Sequence, residues 1–355
     1  MLRPTTPQEV QEAVLTHPRL RPRGAGTKPA LSSPKEGEAL LDLSGLRGIL
    51  EYEPEEFVFT ALAGTPLGEI EAALKAHGQY LPFDPPLLGK GATLGGTVAA
   101  GLSGPMRHRY GGVRDFILGV RFVDGEGRLV RGGGKVVKNA AGFPFHRLMV
   151  GSLGAFGVMV ELSFKVFPRP RATRTLRATM KGLEEALRAV EKLRLLPLDL
   201  LALDLLPPAT LELRLGGFPE SLKARLERLK ALLGQEEGLE EVEEVAEEEA
   251  HWQAVRDLRF LEGSPIHAKV PAGLARIPFL EGLPLGPRRY LDGGEVLYVG
   301  LEAEGLKALK EAGIPYLTLK GPGEALHPPP ENAFYLGLKE ALDPTGRFPG
   351  RPSPG

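Results

Sequence analysis

Residues 20–28 read Leu20-Arg21-Pro22-Arg23-Gly24-Ala25-Gly26-Thr27-Lys28. Small residues in a tight turn let successive backbone N–H groups converge into a concave nest that binds anions such as pyrophosphate. Arg23 and Lys28 add positive charge beside Gly24, Ala25, Gly26 and Thr27. Two nucleotide motifs can be set aside. Gly24 and Gly26 lack the third glycine of G-x-G-x-x-G, and neither Gly89-Lys90 nor Gly134-Lys135 is followed by Ser or Thr, so there is no Walker A loop. The nest belongs to a different nucleotide-binding design.

Residues 89–168 extend the argument. They contain Gly91-Ala92-Thr93-Leu94-Gly95-Gly96-Thr97-Val98-Ala99-Ala100-Gly101-Leu102-Ser103-Gly104-Pro105, then Arg109-Tyr110-Gly111-Gly112-Val113-Arg114-Asp115, then Gly151-Ser152-Leu153-Gly154-Ala155-Phe156-Gly157. Glycine permits positive φ and close approach of backbone to a ligand. One such stretch reads as a bulged turn. Three, joined by strand-like runs, point to main chain wrapped around one large flat ligand. Valine at Gly96 or Gly101 is expected to exclude that ligand.

The order of these segments resembles the flavoproteins with a vanillyl-alcohol-oxidase (PCMH) type FAD domain. The similarity sharpens at Val120-Arg121-Phe122-Val123-Asp124-Gly125, at Val136-Val137-Lys138-Asn139-Ala140-Ala141-Gly142, and at Arg147-Leu148-Met149-Val150-Gly151-Ser152-Leu153-Gly154. Together these resemble the FAD-binding subunits of bacterial glycolate oxidases, over residues 1–170 and again in the tail at 338–351. The resemblance implies an α+β fold: a two-lobed PCMH-type domain, then an antiparallel, ferredoxin-like cap. It implies FAD contacts at Arg23, Gly24, Ala25, Gly26, Thr27, Lys28, Pro82, Thr93, Leu94, Gly95, Gly96, Ala100, Gly101, Arg109, Gly111, Asp115, Lys138, Asn139, Gly154, Gly157 and Val158. Three places depart from the family pattern: Phe143-Pro144 stands for Tyr-Asp, Ala155 for Thr, and Phe348 for Asn before Pro349-Gly350.

The implied chemistry is oxidation of a small 2-hydroxy acid, glycolate or D-lactate. Such a site needs a cation for the carboxylate, ideally a bidentate Arg, and a base for the hydroxyl proton. Cation candidates are Arg107, Arg109, Arg256 and Arg289; base candidates are His108, His267, Tyr110 and Tyr290. Of these, His108, Arg109, His267 and Arg289 are the foremost catalytic candidates. The family's larger flavin subunit carries a paired-histidine metal motif; here seven histidines are scattered, so no metal is expected. The implied partners are that larger FAD-linked subunit and an iron–sulfur subunit. Two alternatives stay open: a non-catalytic flavin-binding assembly subunit, and a stand-alone FAD-dependent D-2-hydroxy acid dehydrogenase.

Composition narrows the rest. The 355 residues carry 44 Lys and Arg against 45 Asp and Glu, a net charge of −1, so no general nucleic-acid field is expected. There is no cysteine, which excludes disulfides, a cysteinyl–flavin bond and a Cys-ligated cluster in this chain. The 23–28 loop has no histidine, so FAD is expected to be non-covalent. No run approaches the ~20 apolar residues of a membrane span, and residues 1–5 show no signal-like segment. A cytoplasmic protein is expected, reaching a membrane only through partner subunits.

Elements must position these groups. Thr6-Pro7-Gln8-Glu9 reads as a capping box with proline at the first helical position, opening a helix to about Leu15. Strands are expected at 39–43, 48–52 and 57–63, and a helix from Pro66 with Leu67, Ile70 and Leu74 on one face. Pro168-Arg169-Pro170 marks a boundary. The expected domains are 1–170 (lobes 1–55 and 56–170), 171–320, and a C-terminal 321–355 returning to the first. In the cap, strands at 174–179, 201–205, 211–215 and 239–245 alternate with helices near 183–190 and 219–233. That is the β-α-β-β-α-β order of a ferredoxin-like unit. A looser copy follows at 266–319, with Asp292-Gly293-Gly294 as its hairpin turn. The Glu-rich residues 236–249 read as solvated surface, 328–330 as a stiff connector and 332–342 as a closing helix.

Overall fold

A computed structural model describes residues 1–134, 143–329 and 332–350. Lys138, Asn139 and the 136–142 motif lie outside these described residues. The chain divides into two compact units: Met1–Ser103 with Gly112–Pro168 and Pro329–Gly355, and Gly104–Gly111 with Arg169–Pro328. Gly104–Gly111, read in the sequence as part of the first domain, thus groups with the second.

The first unit opens with the helix Pro7–Thr16, capped by Thr6, whose hydroxyl accepts the Glu9 amide at 3.2 Å. The Glu9 carboxylate returns to the Thr5 amide at 2.6 Å rather than to Thr6, so the box closes one residue early. Strands β1 (Leu20–Arg23) and β2 (Ala39–Asp42) pair in parallel. Then come β3 (Ile49–Glu53), β4 (Val58–Leu62), β5 (Gln79–Tyr80), β6 (Ile117–Val123), β7 (Leu129–Gly133), β8 (Val158–Lys165) and β9 (Phe167–Pro168). A five-stranded sheet has the order β3-β4-β8-β6-β7, and β5 pairs with β9. Because β3 pairs with β4, residues 49–53 join the sheet of the second lobe rather than ending the first.

One core of this unit gathers Val10, Val14, Leu20, Leu41, Val123, Val160 and Phe348. The departure at Phe348 is therefore a packing residue. The tail that carries it is tied down through buried Asp343, whose carboxylate accepts the Arg347 amide at 2.8 Å and the Phe348 amide at 2.9 Å. The Arg347 guanidinium donates to the Val14 and His17 carbonyls at 2.7 and 2.8 Å.

The second unit is built on β10 (Ala172–Met180), β11 (Ala202–Leu206), β12 (Thr210–Gly217), β13 (Leu239–Glu244), β14 (Ile266–Pro271), β15 (Arg288–Leu291), β16 (Val296–Leu301), β17 (Tyr316–Lys320) and β18 (Leu326–His327). They form one nine-stranded sheet, β13-β10-β12-β11-β15-β16-β14-β17-β18. Strands 10–13 and 14–17 each follow β-α-β-β-α-β order, with the fourth and third strands flanking the first: two ferredoxin-like copies. They join where β11 meets β15, through the pair Leu205↔Tyr290. Both copies put Leu, Val and Ile on one face, with Leu203, Leu205, Leu213, Val270 and Val299 in a single core that includes helix residues Ala189, Leu226 and Leu309. The sequence reading missed the helix Glu248–Arg256. Its first turn lies in the Glu-rich stretch, and Glu248 is no solvated charge: it accepts from Thr173, Thr175 and Arg214 at 2.9–3.0 Å.

Candidate functional site

The first unit contains a cleft enclosing about 710 Å³, open solvent at its mouth included. Its wall brings together most of the residues singled out in the sequence: Arg23, Gly24, Ala25, Gly26, Thr27, Lys28, Thr93, Gly95, Gly96, Ala100, Gly154, Gly157 and Val158. The 24–28 turn leaves the end of β1, and Gly26 supplies its positive φ of 72°. Leu43, Ala63 and Met159 also line the cleft. They carry no motif, since each is an ordinary residue beside a strand end that only folding brings here.

Lys28 decides what this cleft can hold. It is only 7 % exposed. Its ammonium donates to the Thr27 hydroxyl at 3.2 Å and, among the described residues, has no carboxylate partner. Burial pushes its pKa down to about 8. A desolvated cation beside a nest of backbone amides is complementary to a phosphate. Thr97 Oγ1 and Ser152 Oγ are likewise buried without a hydrogen-bond partner among the described residues. These are unspent donors on the helix Leu94–Ala100 and the Gly151–Gly157 turn. The residues present fit a dinucleotide carrying a pyrophosphate.

Glycine is needed where the walls touch. A Cβ on Gly24 would lie 2.1 Å from Thr93 Oγ1, and one on Gly95 would meet the Ala63 carbonyl oxygen at 2.9 Å. Thr93 also caps the helix Leu94–Ala100, accepting the Gly96 amide at 3.3 Å. The expectation for Gly96 and Gly101 needs revision. At Gly96 a Cβ meets Thr93 Oγ1 alone, at 2.9 Å, while Gly101 is a left-handed helix C-cap (φ 61°) against the Gly151 backbone. Gly101 therefore serves the fold first. Gly24→Ala is expected to push Thr93 out of its cap, cost about 1 kcal/mol of stability and lower bound flavin about tenfold. Flavin content and Tm of the purified variant check this, with Gly68→Ala, which has open space around it, as the silent control. Normal flavin in Gly24→Ala would contradict the placement.

Other sequence candidates stand elsewhere. Pro82 and Leu94 are buried and do not line the cleft. Asp115 is exposed and accepts the Gly112 amide at 2.8 Å. Arg109 and Gly111 group with the second unit, where Arg109 pairs with Asp199 at 2.8 Å.

The catalytic candidates are largely occupied by protein partners. Arg289, 3 % exposed, donates to Asp204 at 2.8 Å and to Glu212 at 2.6 Å, over the Trp252 ring. It is thus a structural ion-pair centre, not an available carboxylate clamp. The Tyr290 hydroxyl donates to Glu281 at 2.6 Å, and burial raises its pKa, so it is no base. His108 Nδ1 lies 3.3 Å from Asp292 Oδ1, and Arg107 donates to the same carboxylate at 2.7 Å. His267 is buried on β14 opposite Gly300 and Lys320.

Comparisons with known proteins bear on this geometry. Residues 1–133 match the family described as "FAD binding domain". The chain is 39 % identical to glycolate oxidase subunit GlcE of Escherichia coli (strain K12), over 97 % of this chain and 95 % of that one. It belongs to the GlcE family. This GlcE-family chain is FAD-linked and belongs to a family of oxidoreductases. Glycolate oxidase subunit GlcD of Bacillus subtilis (strain 168) is 32 % identical over 54 % of this chain and 39 % of its own length. An alkyldihydroxyacetonephosphate synthase shares the fold, with TM-score 0.69, 16 % identity, and coverage of 97 % of this chain and 74 % of that one. The PCMH-type α+β fold with an antiparallel cap is thereby established. No helix among the described residues is long and apolar enough to cross a membrane.

Proposed function

We propose that this chain is the FAD-binding subunit of a glycolate oxidase complex, passing electrons from glycolate or a similar 2-hydroxy acid to partner subunits. The observation that carries the reading is the near end-to-end match to GlcE, supported by the buried Lys28 in its nest. The backbone of 24–28 and Lys28 hold the pyrophosphate. Gly24 and Gly95 let the walls of the cleft pack closely, and Thr93 fixes the helix beside them. Bound FAD supplies a two-electron sink for a hydride from C2 of the acid. Lys138, Asn139, Arg109, Gly111 and Asp115 remain proposed contacts from the resemblance. With no cysteine in the chain, the one-electron relay belongs to an iron–sulfur partner, and a larger flavin subunit of the GlcD type completes the complex.

The test is to purify the chain, record its visible spectrum, and follow its melting with FAD. A ligand at about 100 times its Kd adds roughly 2.7 kcal/mol of stability. A yellow protein, or a clear upward shift, supports the reading; a colourless protein without a shift sinks it. Glycolate is then added with and without the partner subunits. Bleaching only in the assembled complex supports the complex, and rapid bleaching of the isolated chain shifts the assignment to a stand-alone dehydrogenase.

A further inference from the structure

The second unit carries a cleft of its own, about 470 Å³ with open solvent at its mouth included. Two elements far apart in sequence meet in its wall. The helix Arg107–Tyr110 supplies His108 and Arg109. The last turn of the helix Leu183–Leu195 supplies Leu193 and Arg194, and residues 196–200 follow.

One hairpin holds His108 and Arg194 together. Strands β15 and β16 are joined by Asp292-Gly293-Gly294-Glu295, and the Gly293 amide ties this turn to the Leu203 carbonyl at 2.7 Å. Asp292 takes the His108 ring through Nδ1 at 3.3 Å and Arg107 through Nε at 2.7 Å. Glu295 takes Arg194 at 2.8 Å. The Arg194 side chain lies across Gly293, where a Cβ would press its Cδ at 2.9 Å.

The contact with Asp292 fixes the tautomer of His108. Burial works against the Asp292 charge, but the bonds from His108 and Arg107 hold its pKa below the ordinary value. An ionised carboxylate only accepts, so Nδ1 carries the proton, and the neutral imidazole presents Nε2 as an acceptor. Nε2 has no partner among the described residues. The His108 ring lines the cleft, with 18 % of its side chain exposed. Arg194 has five N–H donors, and its pair with Glu295 is half-exposed, so it opposes a ligand only weakly. Arg109 lines the cleft too, with its charge met by Asp199 at 2.8 Å. An open acceptor and a guanidinium with donors to spare, held on one turn, match a hydroxyl that donates and a carboxylate that accepts.

We propose that this cleft binds a small 2-hydroxy acid, with His108 Nε2 accepting the C2 hydroxyl, Arg194 holding the carboxylate and Asp292 positioning the imidazole. This rests on the flavin-subunit reading for the substrate class, and it supplies the residues which that reading leaves unnamed.

Acetate differs from glycolate by the one hydroxyl. Both are titrated by calorimetry into the FAD-loaded full chain with its flavin reduced, so that glycolate is bound and not consumed. Glycolate should bind about fivefold tighter than acetate. His108→Ala should erase that preference by bringing glycolate to the acetate level. Arg194→Met should weaken both acids about tenfold or more and keep the preference. Flavin content should be equal in all three proteins. A flavin-loaded wild type that binds neither acid, or binds both alike, overturns the site alone. So does a folded His108→Ala that still prefers glycolate, or a folded Arg194→Met with wild-type affinity. A wild type that stays colourless with added FAD overturns the flavin reading and this inference with it. Should His108→Ala fail to fold, His108→Phe decides in its place, since it keeps a ring and lacks the acceptor.

Discussion

Replacing Lys28 by Met should raise the melting temperature of the FAD-free protein at neutral pH while weakening FAD binding on the order of 10–150-fold. The two effects have one cause. Free of ligand, the folded state buries an ammonium that no carboxylate among the described residues pairs with. Methionine fills similar volume without that desolvation cost. With FAD present, the same ammonium makes a charge-assisted bond to phosphate, worth about 1.5–3 kcal/mol, and its loss gives the stated weakening. The pH dependence follows from the direction of the shift. Folded Lys28 releases its proton near pH 8, unfolded lysine near 10.5. Between these values the unfolded chain holds more protons, so the stability of the FAD-free wild type rises with pH across that window. The penalty is fully present below it and absent above. Lys28→Met should lack this rise, and so should FAD-saturated wild type near the lower end. Thermal melts from pH 7 to 10.5, with and without FAD, measure all three. A Lys28→Met protein with unchanged FAD affinity would remove Lys28 from the phosphate site.

Arg289→Met should be the most damaging single change in the cap, at about 3–5 kcal/mol. It strips the partner from Asp204 and one partner from Glu212, both fully buried. Glu212 keeps Arg177 and His251, at 2.8 Å each. Asp204 loses its one hydrogen-bonded oxygen contact, since Oδ1 has no partner among the described residues. The wild-type pH profile carries opposed contributions. Burial raises Asp204 to about 6 against the attraction of Arg289, so its contribution to stability falls as pH rises from 3.8 to 6. Burial also acts on Glu212, but the bonds from His251 and Arg289 outweigh it and hold its pKa well below 4.5. Its contribution is present above 4.5 and lost in acid. Without Arg289 both carboxyls shift upward and prefer to be neutral. The deficit of Arg289→Met should therefore be larger at pH 8 than at pH 5. An equal and small loss at both values, by chemical denaturation, would mean that the pair adds little to cap stability.

Both residues show what was legible. Lys28 stood in a recognisable turn, so its candidacy for a phosphate was readable; its lack of a carboxylate partner among the described residues was not, because that is a property of space. Arg289 looked like a substrate clamp because Arg suits carboxylates, and the chemistry was read correctly. The carboxylates it meets are Asp204 and Glu212, 85 and 77 residues away in sequence. Trp252 and the helix carrying it escaped notice because a run of glutamates masked the helix start. Phe348 and Ala155 depart from the family pattern; both are buried apolar residues, and Phe348 completes a core.

The sequence by itself determined most of the elements, the helix Glu248–Arg256 excepted, because amphipathic spacing, proline, glycine and caps act over a few residues. It also pointed to a phosphate nest, since consecutive backbone amides need only local geometry, and its glycine order was enough to reveal the family. Tertiary structure decided everything that depends on long-range pairing. It made the two cap repeats one sheet through Leu205 and Tyr290. It set Gly24 against Thr93. It also set Arg289 against Asp204 and Glu212 and Arg107 against Asp292. Charge and shape complementarity are set by distance, and a chain's neighbours in space are fixed only when its strands choose their register.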